Sequence, residues 1–467
     1  MIINQSKKII LLCLCLLLGV LIVACSESEL TEELSEEKIV KVTVVGEGEI
    51  KVAGERVSSA DGPTEVNTSK EEVSVEVTKG HDDFIAYNLL GDTINEQEYN
   101  LVLSETEMDL MADFTSASSF NALDLDDQLE DQGLHWFKSG DEAKRYVPGQ
   151  ENPYYNPDKP TLIYVHGWGA NRDDFIYHDP ETGEVIDTSK AWIADGWNVG
   201  VFYWNRFSDE EEVEDAEAKI WSEDGPENMR WKNDDDEYVA GPKLSAAEMF
   251  YQDYISALAD YSGDEIRIAG LSLGNQMAVQ LTNLVEENIN DGNISNHLRP
   301  DRVALLDPYW SNDSKDYLNG DWTGERVRWA VEELKESEIL FEQYRSSIIT
   351  GVSLFGDVNN DLTEHTAFTE LKPWHISSWN IEETAFARHE FARDWYFWSY
   401  AFAAPEETEA KGYIWDRRNV PTGEKALSAS TSNQRVSEMM TGDYSWDQVE
   451  GRNTATPEDN YFKIIKD

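Results

Sequence analysis

Residues 265–281 constrain this chain more than any other segment, because EIRIAG, LSLG and NQMAVQL follow one another without a break. The first part is a short, apolar, β-rich run. The last part has helical spacing, which continues to place Met277, Leu281, Leu284 and Val285 on one side. Between them stands Gly270-Leu271-Ser272-Leu273-Gly274. A turn this sharp between strand and helix strains the backbone of its central residue, and residues without Cβ on either side let neighbouring chains approach. The turn lifts the Ser272 hydroxyl out of the sheet edge and beside a helix N-terminus, whose amides favour negative charge. A tight turn without chemistry is the plainer alternative, but the flanking strand and helix are what a nucleophile at this position needs.

The surrounding chain alternates in the same way. TLIYVHG (161–167), NVGVFYW (198–204), RVALLDP (302–308) and SSIITG (346–351) are expected strands, with helical segments between them such as LSAAEMFYQDYISALADY. Short, nearly all-apolar strands separated by 3.6-period helices predict a buried, mostly parallel sheet with helices on both faces. Residues 205–243 are rich in acid and are expected to form a surface excursion.

At the end of the first of these strands stands Tyr164-Val165-His166-Gly167-Trp168-Gly169. A Gly-containing loop there can aim a backbone N–H, that of Trp168, at the same point as the N–H of Leu273, giving a two-donor oxyanion hole. His166 is expected to tie the loop rather than to act as a base. For the acid, strand ends offer Asp307 and Asp357; for the base, which must follow Ser and Asp in the chain, His365, His375 and His389 remain. One string, Asp357, Asn359 and Asp361, has calcium-loop spacing. It carries Leu362 and Phe368 where such a loop wants Gly and Glu, so no metal and no cofactor are expected.

HGWG after an early strand and GLSLG after a later one resemble the α/β-hydrolase fold. VALLDPYW resembles the Leu-Asp-Pro element of the pancreatic-type lipase family, and FARHEFARDWYFWSY is similar to that family's His element leading into an aromatic helix. The resemblance spans roughly 155–402. It implies catalytic Ser272, Asp307 and His389, with Asp307 fixing the tautomer of His389, and a lid over about 363–387 containing Phe368, Trp374 and Trp379. The chain departs from the family in having no disulfides, in the insertion at 205–243, and in a longer elbow-to-Asp connection. The implied activity is hydrolysis of carboxylic esters, of lipase or esterase type. Amide or peptide cleavage by the same residues, or a non-catalytic surface-binding protein on the same fold, are the alternatives.

The remaining segments concern location. Lys7 and Lys8 precede IILLCLCLLLGVLIVA, which ends Ile22-Val23-Ala24-Cys25. This resembles a bacterial signal peptide with a lipobox, implying cleavage after residue 24, lipidation of Cys25 and membrane attachment through acyl chains, facing outward from the outer membrane or cell surface. Cys13 and Cys15 lie inside the apolar run, so the mature chain would hold no disulfide partner for Cys25. Residues 25–39 are an acidic tether. Residues 40–115 alternate Val with polar residues and loosely resemble internalin B-type repeats, a small β-rich module serving as a spacer or binding a surface partner. The hydrolase domain is expected over 120–404 and a C-terminal extension over 405–467. The whole chain has 467 residues and a formal charge of −54, which excludes nucleic acid as a partner. So large an acid excess also suits a high-salt medium, where screening removes self-repulsion.

Overall fold

The computed structural model describes the strand segments between residues 38 and 114 and residues 131–466, except 171, 181, 234–236, 412–417 and 442–443. Cys25 and the acidic tether lie outside the described residues. The chain forms two compact units, Met1–Ser116 and Ala117–Asp467.

In the first unit, Lys38–Gly46 pairs in parallel with Glu107–Phe114 and antiparallel with Thr64–Thr68, within a five-stranded sheet. A second, four-stranded sheet has Glu49–Val52 between Glu55–Ser58 and Glu72–Lys79. Val40 and Val42, Ile50 and Val52, and Val73 and Val75 are buried at every second position, as period-2 strands with one covered face require.

The second unit is built on one twelve-stranded sheet among the described residues. Its strands in chain order are β1 (Gly133–Ser139), β2 (Glu142–Arg145), β3 (Thr161–Val165), β4 (Asn198–Tyr203), β5 (Ile266–Leu271), β6 (Arg302–Leu306), β7 (Leu340–Arg345), β8 (Ala367–Glu370), β9 (Glu406–Lys411), β10 (Arg418–Lys425), β11 (Tyr444–Glu450) and β12 (Tyr461–Lys466). The spatial order is β2-β1-β4-β3-β5-β6-β7-β8-β11-β12-β9-β10. From β4 to β8 all neighbours are parallel, while β1 pairs antiparallel with β4. Residues of β3 to β6 are buried without interruption, because helices cover both faces. The helices are α1 (Lys190–Ala194), α2 (Asn205–Ser208), α3 (Val213–Trp221), α4 (Ala246–Ala257), α5 (Gly274–Asn290), α6 (Thr323–Lys335), α7 (Ile381–Ser399) and α8 (Asn433–Met440). A long, mostly parallel sheet whose strand order doubles back at β4 and β3, with the Gly-x-Ser-x-Gly turn between β5 and α5, is the α/β-hydrolase fold expected from the sequence.

Three expectations change. The tail does not form an appendage: residues 406–466 supply four strands that continue the sheet beyond β8, through β8–β11 pairing. Two buried guanidinium groups bind its connecting loop from beneath. Arg267 on β5 donates to Ala429 O (2.8 Å), and Arg302 on β6 donates to Thr431 O (2.7 Å) and Ser428 O (2.9 Å) while pairing with Glu342 on β7 (Nε to Oε1 2.8 Å). Second, the strand expected at 346–351 lies instead at Leu340–Arg345. Its polar Glu342 is fully buried, made tolerable by Arg302, Tyr344 and Tyr396. Third, the acidic insertion is no loose excursion. Glu210 is buried against Lys219 (2.6 Å) and Arg230 (2.7 Å). Glu217, fully buried, accepts from Gln276 (2.5 Å), Ser311 N (3.0 Å) and Thr323 (3.0 Å).

Candidate active site

Ser272 sits at the end of β5 with φ of +56°, a left-handed conformation that an L-residue adopts only when its surroundings impose it. The imposing contacts are close. A Cβ on Gly270 would lie 2.2 Å from Gly274 O, and one on Gly274 would lie 2.2 Å from Val165 O, so neither position accepts a side chain. The turn is also clamped by Asn275, a fully buried amide in the first turn of α5. Its Nδ2 donates to Ser272 O (2.9 Å) and Leu306 O (3.0 Å), and its Oδ1 accepts from Leu306 N (2.8 Å). Ser272 N also donates to Leu306 O (3.2 Å), which brings the serine beside the residue before Asp307.

The loop after β3 lies directly over this turn. A Cβ on Gly167 would meet Ser272 Cβ at 2.7 Å and Leu271 O at 3.0 Å. His166 is buried and holds the loop: Nδ1 pairs with Gly167 O (3.0 Å), Nε2 accepts from Trp204 N (3.1 Å), and its own carbonyl accepts from Trp204 Nε1 (2.9 Å). Burial pushes its basicity down, in keeping with a neutral ring whose Nδ1 donates. The next residues are held by the insertion. Trp168 Nε1 donates to Glu210 O (2.9 Å), Gly169 N donates to Ser208 O (3.1 Å), and Ser208 Oγ donates to Gly169 O (2.8 Å). Among the described residues, the backbone N–H groups of Trp168 and Leu273 donate to no protein acceptor.

Asp307 follows β6 and is fully buried, with φ of +39°. His389 Nδ1, on the third turn of α7, stands 2.6 Å from Asp307 Oδ2, across 82 positions of sequence. Oδ1 accepts from Ser346 N (2.7 Å), Ser347 N (3.2 Å) and Thr350 Oγ1 (2.8 Å), and Oδ2 from the Ser347 hydroxyl. Burial alone would raise the carboxyl, but His389 and these donors outweigh it and hold Asp307 below the ordinary carboxylate range. Its oxygens are therefore anionic acceptors that fix Nδ1–H on the ring and leave Nε2 as the basic nitrogen.

The other candidates lie elsewhere. Asp357 accepts from Asn359 N (3.0 Å) in a turn. His365 stands near Lys335 Nζ (3.5 Å), and His375 packs edge-on against Phe391 with centroids 4.9 Å apart. The calcium-like string is a structural turn, with Asn359 engaged by Arg328 (2.8 Å) and Gly324 O (2.9 Å). The lid segment is divided: Phe368 is buried in β8, whereas Trp374 and Trp379 are exposed beyond it.

Sequence reasoning missed Asn275, Ser346, Ser347 and Thr350. Asn275 was visible as a polar residue on the buried side of the helix just after the elbow. The hydroxyls of SSIIT passed for strand residues, because their role depends on a carboxylate 40 positions away for Ser347.

No protein-family model matches the chain, and no curated protein matches it. Among solved structures, it is similar to a lipase/esterase from Lactobacillus plantarum, at 12% identity and TM-score 0.25, over 49% of this chain and 81% of that one. It is also similar to Pyrococcus horikoshii acylaminoacyl peptidase, at 11% identity and TM-score 0.24, over 59% of this chain and 39% of that one. Esterase B from Lactobacillus rhamnosis is 13% identical, with TM-score 0.20, over 45% and 65%.

Proposed function

We propose that this protein is a serine hydrolase that cleaves carboxylic esters. The observation that carries the reading is the buried Asp307–His389 pair at 2.6 Å, at the same sheet edge as a serine in a positive-φ turn. Ser272 attacks the ester carbonyl carbon, and its proton passes to His389 Nε2. The negative charge that develops on the carbonyl oxygen is met by the unengaged N–H groups of Trp168 and Leu273. The protonated His389, stabilised by Asp307, then gives its proton to the leaving alkoxide. An acyl-enzyme remains, and water, deprotonated by the same imidazole, releases the acid and restores Ser272. Among the described residues no hydrogen bond joins Ser272 Oγ to His389; such bonds often close only with substrate in place.

A fluorophosphonate probe tests the reading: it should label wild-type protein at Ser272 and leave Ser272→Ala unlabelled. A series of p-nitrophenyl esters, run beside matched p-nitroanilides, then separates ester from amide cleavage. Absence of both label and turnover in the folded protein would favour a non-catalytic binding role.

We also infer that the chain is an exported lipoprotein anchored through Cys25, with the β-rich module as a spacer or adhesion element between anchor and enzyme in the chain. The Lys7-Lys8, apolar-run and Ile22-Val23-Ala24-Cys25 succession supports this. Cys25→Ser should leave unprocessed precursor without incorporated palmitate; labelled palmitate on that variant would overturn it.

A further inference from the structure

A cavity of about 280 Å³ opens between the first two turns of α7 and the loop that follows β7. Ile381, Thr384, Ala385 and Arg388 line it from one face of the helix, Ile348 from the loop, and Ser377 and Ser378 from the segment before α7. Ser272 is not among the lining residues, so this is a separate space beside the Asp307–His389 pair. It is nevertheless tied to that pair: Ser346, whose N–H donates to Asp307, donates its hydroxyl to Arg388 O (2.7 Å).

Arg388 is the charged member. In a chain with 92 acidic and 38 basic residues, a guanidinium ordinarily finds a carboxylate. Arg206, Arg230, Arg299 and Arg302 each do so at 3.0 Å or less. Arg388 does not. Its Nε donates to Ile376 O (3.0 Å), and among the described residues no carboxylate lies within ion-pair distance and neither terminal nitrogen has an acceptor. The group is half-buried, and burial is what lowers its basicity. An uncompensated cation held partly out of water is costly unless an anion joins it. The guanidinium edge offers two parallel N–H donors, which match a carboxylate. Ile348, Ile381 and Ala385 offer an apolar wall for a short chain, and the volume lies at the small end for ligand sites.

We propose that this cavity binds an alkyl carboxylate, with the carboxylate on Arg388 and the chain against Ile348 and Ile381. Under the ester-hydrolase reading, on which this part rests, the ligand is the acid product or the free-acid end of a half-ester substrate. The binding itself does not require that reading.

Calorimetric titration of the full chain with octanoate tests the proposal, with octanol and acetate as partners lacking the charge or the chain. Octanoate should bind at one site, at least tenfold more tightly than either. Arg388→Gln should weaken it tenfold or more, and Arg388→Lys should recover part of the loss. Ile348→Glu, at a position 45% exposed and therefore tolerant of change, should repel octanoate while the melting temperature holds. Octanoate binding that ignores both Arg388→Gln and Ile348→Glu, or that octanol equals, or no octanoate binding at all, would overturn the proposal. Fluorophosphonate labelling of the same samples keeps the two readings apart. Octanoate binding without a labelled Ser272 removes the hydrolase alone, and label without octanoate binding removes the cavity alone.

Discussion

Asp307 accepts the Nδ1 proton of His389 at 2.6 Å while four further donors, from Ser346, Ser347 and Thr350, occupy the same carboxylate. The aspartate is thus fixed in orientation before the histidine is added, and His389 inherits that orientation. Asp307→Asn should keep the fold but present the wrong partner to the ring, lowering kcat by about 10⁴-fold with KM little changed. His389→Ala should abolish the acyl-enzyme burst. Combined with Ser272→Ala, it should add almost nothing to the loss from Ser272→Ala alone, since such residues act as a unit. His375→Ala, which removes a ring packed on Phe391 and away from Asp307, should stay within about tenfold of wild-type kcat. Stopped-flow ester hydrolysis measures all of these, and near-normal kcat in His389→Ala would remove it from the mechanism.

Gly167→Ala addresses the oxyanion loop. The new methyl would sit 2.7 Å from Ser272 Cβ and 3.0 Å from Leu271 O, so the loop must retreat and carry the Trp168 N–H with it. Losing one such donor costs about 10²–10³ in kcat. Turnover should fall by that order, with KM changing far less. Unaltered turnover would show that this loop does not serve the reaction.

Acid–base linkage gives a third expectation. Asp253 is a half-buried carboxyl on α4; desolvation pushes it up from the ordinary 3.8 to about 6, against the opposing effects of the Leu134 N–H bond (2.8 Å) and Arg145. The folded state therefore holds this proton more tightly than the unfolded state does. Its contribution to stability is full below pH 3.8 and is lost as pH rises through about 6. Asp253→Asn keeps an acceptor for Leu134 and removes the titration. Urea midpoints for the variant should fall less than wild type between about pH 4 and pH 7. Parallel pH profiles would refute the assignment.

The charge of −54 gives a fourth. Self-repulsion among surface carboxylates is screened by salt, so the melting temperature should climb from low salt to molar sodium chloride. Buried pairs such as Glu210–Lys219 are screened far less and should contribute little to that salt dependence. A melting temperature indifferent to salt would mean that the acidic surface is merely solvated.

Local signals made much of this architecture legible. The run from Ile266 to Val285 announced strand, elbow and helix through periodicity and two glycines; the observed strand begins and ends within a residue of that reading, while the helix runs on to Asn290. What stayed hidden depended on partners remote in sequence. β7 carries Glu342 and Gln343 in its interior, a pattern that reads as polar until Arg302 is placed beside it. The insertion at 205–243 reads as solvent-facing because it is charged, yet Glu210 and Glu217 are buried under residues that only the fold brings near. The tail likewise has no pattern of its own that reveals which sheet it extends.

The grip of Arg267 and Arg302 on the loop 428–431 has a consequence for biogenesis. Both arginines belong to central strands that leave the ribosome long before residues 428–431 do. Until that loop arrives, two cations in the middle of the sheet lack the carbonyls that make their burial tolerable. A polypeptide truncated ahead of 428 would therefore leave both guanidinium groups with only their carboxylate partners, Glu265 and Glu342, and the centre of the sheet open to water.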